Sequence, residues 1–270
     1  MIKQRRYPVT ESNLLSIAFF IYAASIVPYF LLFFKKTTRL GRPSMLMVLA
    51  GLVFHTAALA VRWKLSGHAP MSNMYESLSF FSWALVAAYL IADLFLKISR
   101  LGFFVLLCNI AILVYAFSHD KTMKPLMPAL QSNWLLLHVS SCFLSYGAFA
   151  ISFIAAAIYL FPGSKQELTL EKLDAVMYKA ILFGFPLLTF GVASGAIWAN
   201  EAWGRYWSWD PKETWSLVTW LIYALYLHLR LMKAWGGKKL AWVAMTGFLS
   251  VIFTYIGVNY LMAGLHSYAR

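Results

Sequence analysis

The sequence predicts an all-α polytopic membrane protein of about eight transmembrane helices, and three observations carry that prediction. Of its 270 residues, 61% are hydrophobic and only 12% are charged, far from the mixture of a water-soluble domain. Windows of about 20 mostly apolar residues, the length a helix needs to cross a bilayer, recur along the whole chain. The 23 Lys and Arg residues, which leave a net charge of +13, sit in short runs between those windows. There they read as topology signals and lipid-headgroup contacts rather than as a nucleic-acid surface.

The first window, 13–34, lacks a small-residue cleavage site and is expected to be retained as a helix rather than removed as a signal peptide. Lys35, Lys36, Arg39 and Arg42 follow it. The second, 44–63, carries His55 near its middle and opens onto a polar segment at 64–76. The third, 77–96, ends at Lys97 and Arg100, and the fourth, 101–117, is short. After a polar stretch at 118–133 comes the long fifth window, 134–161, with His138 one turn inside its start. Lys165, Lys172 and Lys179 precede the sixth, 180–198. The seventh, 211–230, starts at "DPKE", where Asp210 is placed as N-cap, Pro211 at the first helical position and Glu213 at the third, a capping-box pattern. His228 lies 17 residues beyond Pro211, about 25 Å along a helix of 1.5 Å rise. Arg230, Lys233, Lys238 and Lys239 separate this window from the eighth, 240–262, and His266 follows just past its end. With no repeat, low-complexity tract or long polar insertion, residues 1–270 read as a single transmembrane domain.

The positive-inside rule sets the orientation. One set of connections holds thirteen cations, and the opposite set with the C-terminus holds seven. The thirteen are assigned to the cytoplasm, so both termini are expected outside it, although Lys3, Arg5 and Arg6 run against this. The segments 64–76, 118–133 and 199–212 then share the extracytoplasmic face.

The segment "ANEAWGRYWSWDPKETWSLVTW", 199–220, holds five tryptophans. Scattered rings such as Trp63, Trp83 and Trp235 suit an aromatic belt at the headgroups. A belt has no need of Gly204, Arg205 and a capping Asp210 at fixed spacing among Trp203, Trp207 and Trp209. A short helical turn ending at the cap would present these rings as a shelf for a large planar ligand. His138 and His266 reach the same face, and two neutral imidazoles approaching an aromatic floor from opposite sides would ligate a haem iron. Arg205, Lys212, Arg62 and Lys64 are candidates to pair the haem propionates. His228 and His55 are candidates for a second haem position deeper in the membrane, while His68 and His119 read as solvated loop residues. Cys108 and Cys142 stand singly in apolar stretches and read as small buried hydrophobes, with no C-x-x-C redox pair.

"WGRYWSWD", 203–210, matches the W-G-x-x-W-x-W-D signature of the haem-handling membrane proteins of cytochrome c maturation. "RWKLSGHAPMSNMYESLSFFSW" (62–83), "NWLLLHVSSCFLSYGA" (133–148), "WSLVTWLIYALYLHLR" (215–230) and "GLHSYAR" (264–270) resemble the CcsA (ResC) branch in order and spacing, over about residues 44–268. These added blocks set the resemblance apart from the related CcmC and CcmF proteins. The resemblance implies that His138 and His266 are the pair that ligates haem at the outer surface, and that His228 holds haem in transit from the cytoplasm. In that family the intramembrane partner is often assigned to a companion subunit, CcsB, which competes with His55 for the role. The large extracytoplasmic domain of CcsB is missing from this chain, so the resemblance implies a CcsB-like partner.

The resemblance further implies that the chain is the membrane subunit of a cytochrome c synthase. Ferrous haem b would be joined by thioether bonds to the C-x-x-C-H motif of an apocytochrome c, outside a bacterial plasma membrane or a thylakoid-type membrane. The residues would supply position and orientation, and none is identified as a general acid or base. Two other readings stand beside this one: a haem exporter or assembly scaffold without attachment chemistry, and a bis-histidine electron-transfer cytochrome b. The second normally places histidine pairs on the same helix, whereas each candidate here stands alone on its own.

Overall fold

The structure, a computed structural model, describes residues 10–35, 39–123, 125–161, 168–233, 235–262 and 264. Among them the regular structure is helical throughout: α1 (Glu11–Phe34), α2 (Gly41–Ser66), α3 (Met74–Leu96), α4 (Gly102–Phe117), α5 (Asn133–Leu160), α6 (Leu170–Trp203), α7 (Pro211–Leu231), α8 (Lys238–Ile252) and α9 (Val258–Leu261). Single 3₁₀ turns at Ser99–Leu101 and Pro128–Leu130 lead into α4 and α5, and a π-turn at Phe253–Gly257 joins α8 to α9.

Seven stretches among the described residues are long and apolar enough to cross a membrane: α1, α2, α3, Ser99–Phe117, α5, α6 and Lys238–Leu261. At 21 residues α7 is long enough as well, but Lys212, Glu213, His228 and Arg230 make it less apolar. It packs between α6 and α8 as part of the same bundle. The chain is an integral membrane protein of all-α architecture, as its composition predicts.

Lipid offers helices no hydrophobic reason to associate, so close approach of backbones and interhelical hydrogen bonds must hold them together. α5 shows both devices. It is central, packed on α3, α6 and α8, and its run from Ser141 to Ala156 is buried on nearly every face. The Ser145 hydroxyl donates to the Gly184 carbonyl of α6 at 2.8 Å, and Phe149 stacks on Tyr223 of α7 with centroids 3.7 Å apart.

The apolar window at 180–198 proves to be only the middle of α6, which has 34 residues. Thr169 caps its start, accepting from the Lys172 N–H, and polar turns containing Glu171, Asp174, Asn200 and Glu201 extend it at both ends. At about 50 Å the helix outruns a hydrocarbon core of about 30 Å. Trp203 therefore stands on a rigid helical post rather than in a loop.

The two ends of the bundle are fastened differently. At the end remote from the tryptophans, Arg230 of α7 forks onto Asp174 of α6, and Lys172 donates to the Lys97 carbonyl at 2.8 Å. At the tryptophan end, Arg62 is only 1% exposed. It donates to Glu76 at 2.7 Å, to Glu11 at 3.3 Å and to the Lys121 carbonyl at 3.1 Å. Tyr75 completes the cluster by donating to Glu11 at 2.7 Å. One guanidinium thus ties α1, α2, α3 and the segment after α4 together.

Candidate functional site

The site grows from the seam between α5 and α6. Ser132 caps α5, accepting from the Trp134 N–H at 3.1 Å, so His138 falls in the second turn. Its ring lies against α6 where that helix offers Gly191 and Gly195. A Cβ added at Gly195 would overlap the imidazole, and one at Gly191 would come within 2.6 Å of the Cys142 sulfur. Glycine at both positions lets the ring reach backbone, and His138 Nδ1 lies 2.7 Å from the Gly191 carbonyl. A carbonyl can only accept, so Nδ1 carries the proton and Nε2 carries the lone pair, the tautomer of a metal-binding histidine oriented through its other nitrogen.

Aromatic residues build outward from this ring. Trp198 lies nearly parallel to His138, at 17° and 6.2 Å between centroids. Its Nε1–H donates to the Ala129 carbonyl at 2.8 Å, which ties down the 3₁₀ turn before α5. Trp203 packs on Trp198 at 4.8 Å. α6 then stops at Gly204, whose φ of +74° is the left-handed conformation that glycine adopts without penalty.

The chain from 204 to 210 is not helical, contrary to the short turn expected there, and Glu213 organises it instead. Its carboxylate accepts from the backbone N–H of Ser208 at 2.7 Å and of Asp210 at 3.1 Å, while Asp210 accepts from the Lys212 N–H at 3.0 Å. The capping box expected from "DPKE" is present. It holds Trp209 at φ +60°, a conformation that costs a non-glycine residue about 1 kcal/mol or more and is typical of ligand clamps. Trp207 and Trp209 meet edge to face at 5.7 Å.

Between these parts lies a cavity of about 340 Å³, within the range of small-molecule sites. His138, Trp198, Trp203, Tyr206, Trp207 and Lys212 line it together with Cys142, Tyr146, Thr254 and Tyr255. The π-turn between α8 and α9 carries Thr254 and Tyr255 onto this wall. The Trp207 Nε1–H is buried and finds no acceptor among the described residues. The arrangement suits a broad, flat, largely apolar ligand with an electrophilic centre for the imidazole and an acceptor for the indole.

The structure therefore brings together His138, Trp203, Trp207 and Lys212. Asp210 is buried beneath them as the cap, and Gly204 and Arg205 are exposed at the turn. Trp209 is 68% exposed and supports Trp207 rather than facing the cavity. His266 lies outside the described residues. Gly264 sits so close to Asp210 that an added Cβ would meet the carboxylate.

Arg62 and Lys64 are not at the cavity. Arg62 is committed to Glu11 and Glu76, carboxylates whose proximity its own neighbourhood in sequence does not reveal, and Lys64 is exposed on the last turn of α2. Nor do His55 and His228 meet. His55 is buried on α2, which packs on α1 and α3, whereas His228 is exposed on α7, between α6 and α8. His119 is held by the Tyr115 carbonyl at 2.8 Å, a loop residue as expected. Trp198, Tyr206, Tyr146 and Tyr255 escaped the sequence reading. The Gly191 and Gly195 pair, four apart on one helix face, is the signal that could have pointed to Trp198 and the seam it covers.

The chain is similar to several known proteins. The family described as Cytochrome C assembly protein matches residues 71–266. "Cytochrome c biogenesis protein CcsA" of Chlamydomonas reinhardtii is 45% identical over 240 residues, covering 84% of this chain and 68% of that protein. The protein of the same description from Guillardia theta is 39% identical over 94% of both chains. That of Prochlorococcus marinus (strain AS9601) is 39% identical over 87% of this chain and 86% of its own. Among solved structures, "Cytochrome c Heme Lyase CcmF" shares the fold, with a TM-score of 0.66 at 16% identity. The match covers 98% of this chain and 49% of that one, so this chain spans about half its length. On the extent of the family match and the identity to full-length relatives, the chain belongs to the CcsA family of cytochrome c assembly proteins.

Proposed function

We propose that this chain binds haem at the tryptophan end and presents it for covalent attachment to apocytochrome c, as the membrane subunit of a cytochrome c synthase. The observation that carries the reading is the His138 imidazole, fixed by the Gly191 carbonyl in the ligating tautomer on the wall of a cavity closed by Trp203 and Trp207. Haem is cargo and substrate here. His266 is the second ligand. Two residues of chain reach at most about 7 Å, and Gly264 is already against Asp210 at the base of the tryptophan segment. Trp203 and Trp207 stack on the macrocycle, Lys212 pairs a propionate, and the buried Trp207 Nε1–H donates to a propionate oxygen.

The chemistry is addition. Each cysteine S–H adds across one vinyl C=C of ferrous haem b, so that a C–S and a C–H bond replace the S–H bond and the C=C π bond, with no net oxidation. The protein supplies proximity and orientation, holding a vinyl edge where a thiol can reach it. His228, exposed to the surroundings of α7, serves haem in transit, and its counterpart comes from a CcsB-like subunit rather than from the buried His55. The tryptophan end and both termini face outward from a bacterial plasma membrane or thylakoid-type membrane, and residues 1–270 act as one domain.

The test is to coexpress this chain and its companion subunit with an apocytochrome c and look for haem retained on a denaturing gel. Covalent haem that depends on this chain supports the synthase. Haem that accumulates outside without becoming covalent would mark an exporter and contradict the reading.

A further inference from the structure

A second cavity adjoins the first. It has a volume of about 670 Å³ and lies between the end of α2, the 66–71 turn, the 125–131 segment and the first turn of α5. Met71, Leu130 and Leu135 line both cavities, so a single layer of apolar side chains divides them. The rest of its lining differs in character from the tryptophan site. Ser66, His68, Gln131, Ser132 and Asn133 line it beside Leu126 and Leu136, and among the described residues Trp63 is the one tryptophan in its lining.

We propose that this cavity is the docking subsite for the peptide that receives haem, a segment bearing two cysteine thiols. The inference rests on the haem-presenting reading above and deepens it. Bond formation requires the thiols and the macrocycle edge to be in contact, so the peptide must lie against the haem cavity, and this neighbour shares a wall with it. A mixed lining suits a peptide, whose amides need partners and whose side chains are part apolar, better than it suits a lipid chain or a second porphyrin.

Met71 is unbranched and flexible, and it belongs to a small apolar cluster with Leu135 and Trp198 that is separate from the main core. A shift of its side chain would thin the wall that it shares with Leu130 and Leu135. His68 is also oriented within this wall. Its Nδ1 lies 3.0 Å from the Ala69 carbonyl, which can only accept, so Nδ1 donates.

The test uses the full-length chain with its companion subunit in membranes. A benzophenone amino acid at position 131, an exposed lining position, is irradiated with a synthetic peptide containing C-x-x-C-H, and the same probe is placed at position 209 as a comparison. In parallel, Gln131→Trp and Asn133→Trp fill the cavity from exposed lining positions. Peptide crosslinks at 131 in preference to 209 are expected. Both tryptophan variants should keep the parent haem content and absorption spectrum while covalent cytochrome c falls about tenfold, equivalent to losing roughly 1.4 kcal/mol of peptide contact.

Crosslinks favouring 209, or normal maturation in both filled variants, would overturn the subsite. Loss of haem in the filled variants would also overturn it, by making the cavity part of the haem site. A parent chain that holds no haem would instead refute the haem-presenting reading, and the crosslink at 131 would still report the peptide.

Discussion

Gly195→Ala is the smallest substitution that should displace His138 without altering any group assigned to the ligand. The new Cβ would overlap Nδ1 and lie 2.7 Å from Cε1 and 3.2 Å from Cγ of the imidazole. Carbon contacts are comfortable at about 3.5–4.0 Å, so the ring must retreat by roughly 1 Å. Retreat withdraws Nδ1 from the Gly191 carbonyl, now 2.7 Å away, at a cost of about 1 kcal/mol, and overpacking adds about 1–3 kcal/mol. Alanine returns about 1 kcal/mol through its better helix propensity. The net loss is about 1–3 kcal/mol in the parent. In a His138→Ala background the overlap disappears, and Gly195→Ala should stabilise by about 1 kcal/mol. The coupling between the two positions is then about 2–4 kcal/mol, measurable by denaturing the four proteins in detergent as a double-mutant cycle. The single variant should also show an altered haem spectrum. Equal effects of Gly195→Ala in both backgrounds would refute the account of the seam.

Trp207→Ala should weaken haem binding by about 1–3 kcal/mol, or about 5- to 150-fold, in a haem titration of the inserted protein, and Trp209→Ala should do less because its ring faces away from the cavity. Arg62→Leu should destabilise the bundle by about 3–5 kcal/mol by leaving Glu11 and Glu76 buried without their cation, and the triple replacement of Arg62, Glu11 and Glu76 by leucine should recover most of that in detergent denaturation. A reporter fused after Arg270, or inserted within 199–212, should be active only outside the cytoplasm, and cytoplasmic activity at either position would contradict the proposed orientation.

The parts of the site that were legible in the sequence depend on local chemistry. Asp210, Pro211 and Glu213 specify a cap within four residues, and Trp203 and Trp207 stand beside it in a chain where crowded indoles are conspicuous. His138 was legible because a histidine in an apolar window is costly unless it is used. What depended on distant partners was not legible. Arg62 has the chemistry of a propionate contact, and only the fold brings Glu11, 51 residues away, to its guanidinium. His55 and His228 share a residue type but lie on helices that pack against different neighbours. The extent of α6 was hidden because its ends are polar, and an apolar window registers only what faces lipid. The π-turn that carries Thr254 and Tyr255 to the cavity leaves no mark in hydrophobic periodicity.

In the proposed site His138 and His266 hold the haem iron from opposite sides at the tryptophan end. The direct measurement is the absorption spectrum of purified His138→Gly and His266→Gly proteins, each beside a cytochrome c maturation assay. Imidazole must be neutral to bind metal, so haem occupancy of the parent should also fall in acid. Each variant is predicted to show a five-coordinate or weakly held haem and to fail in maturation, with His119→Gly unaffected. Six-coordinate spectra and normal maturation in both variants would contradict the account.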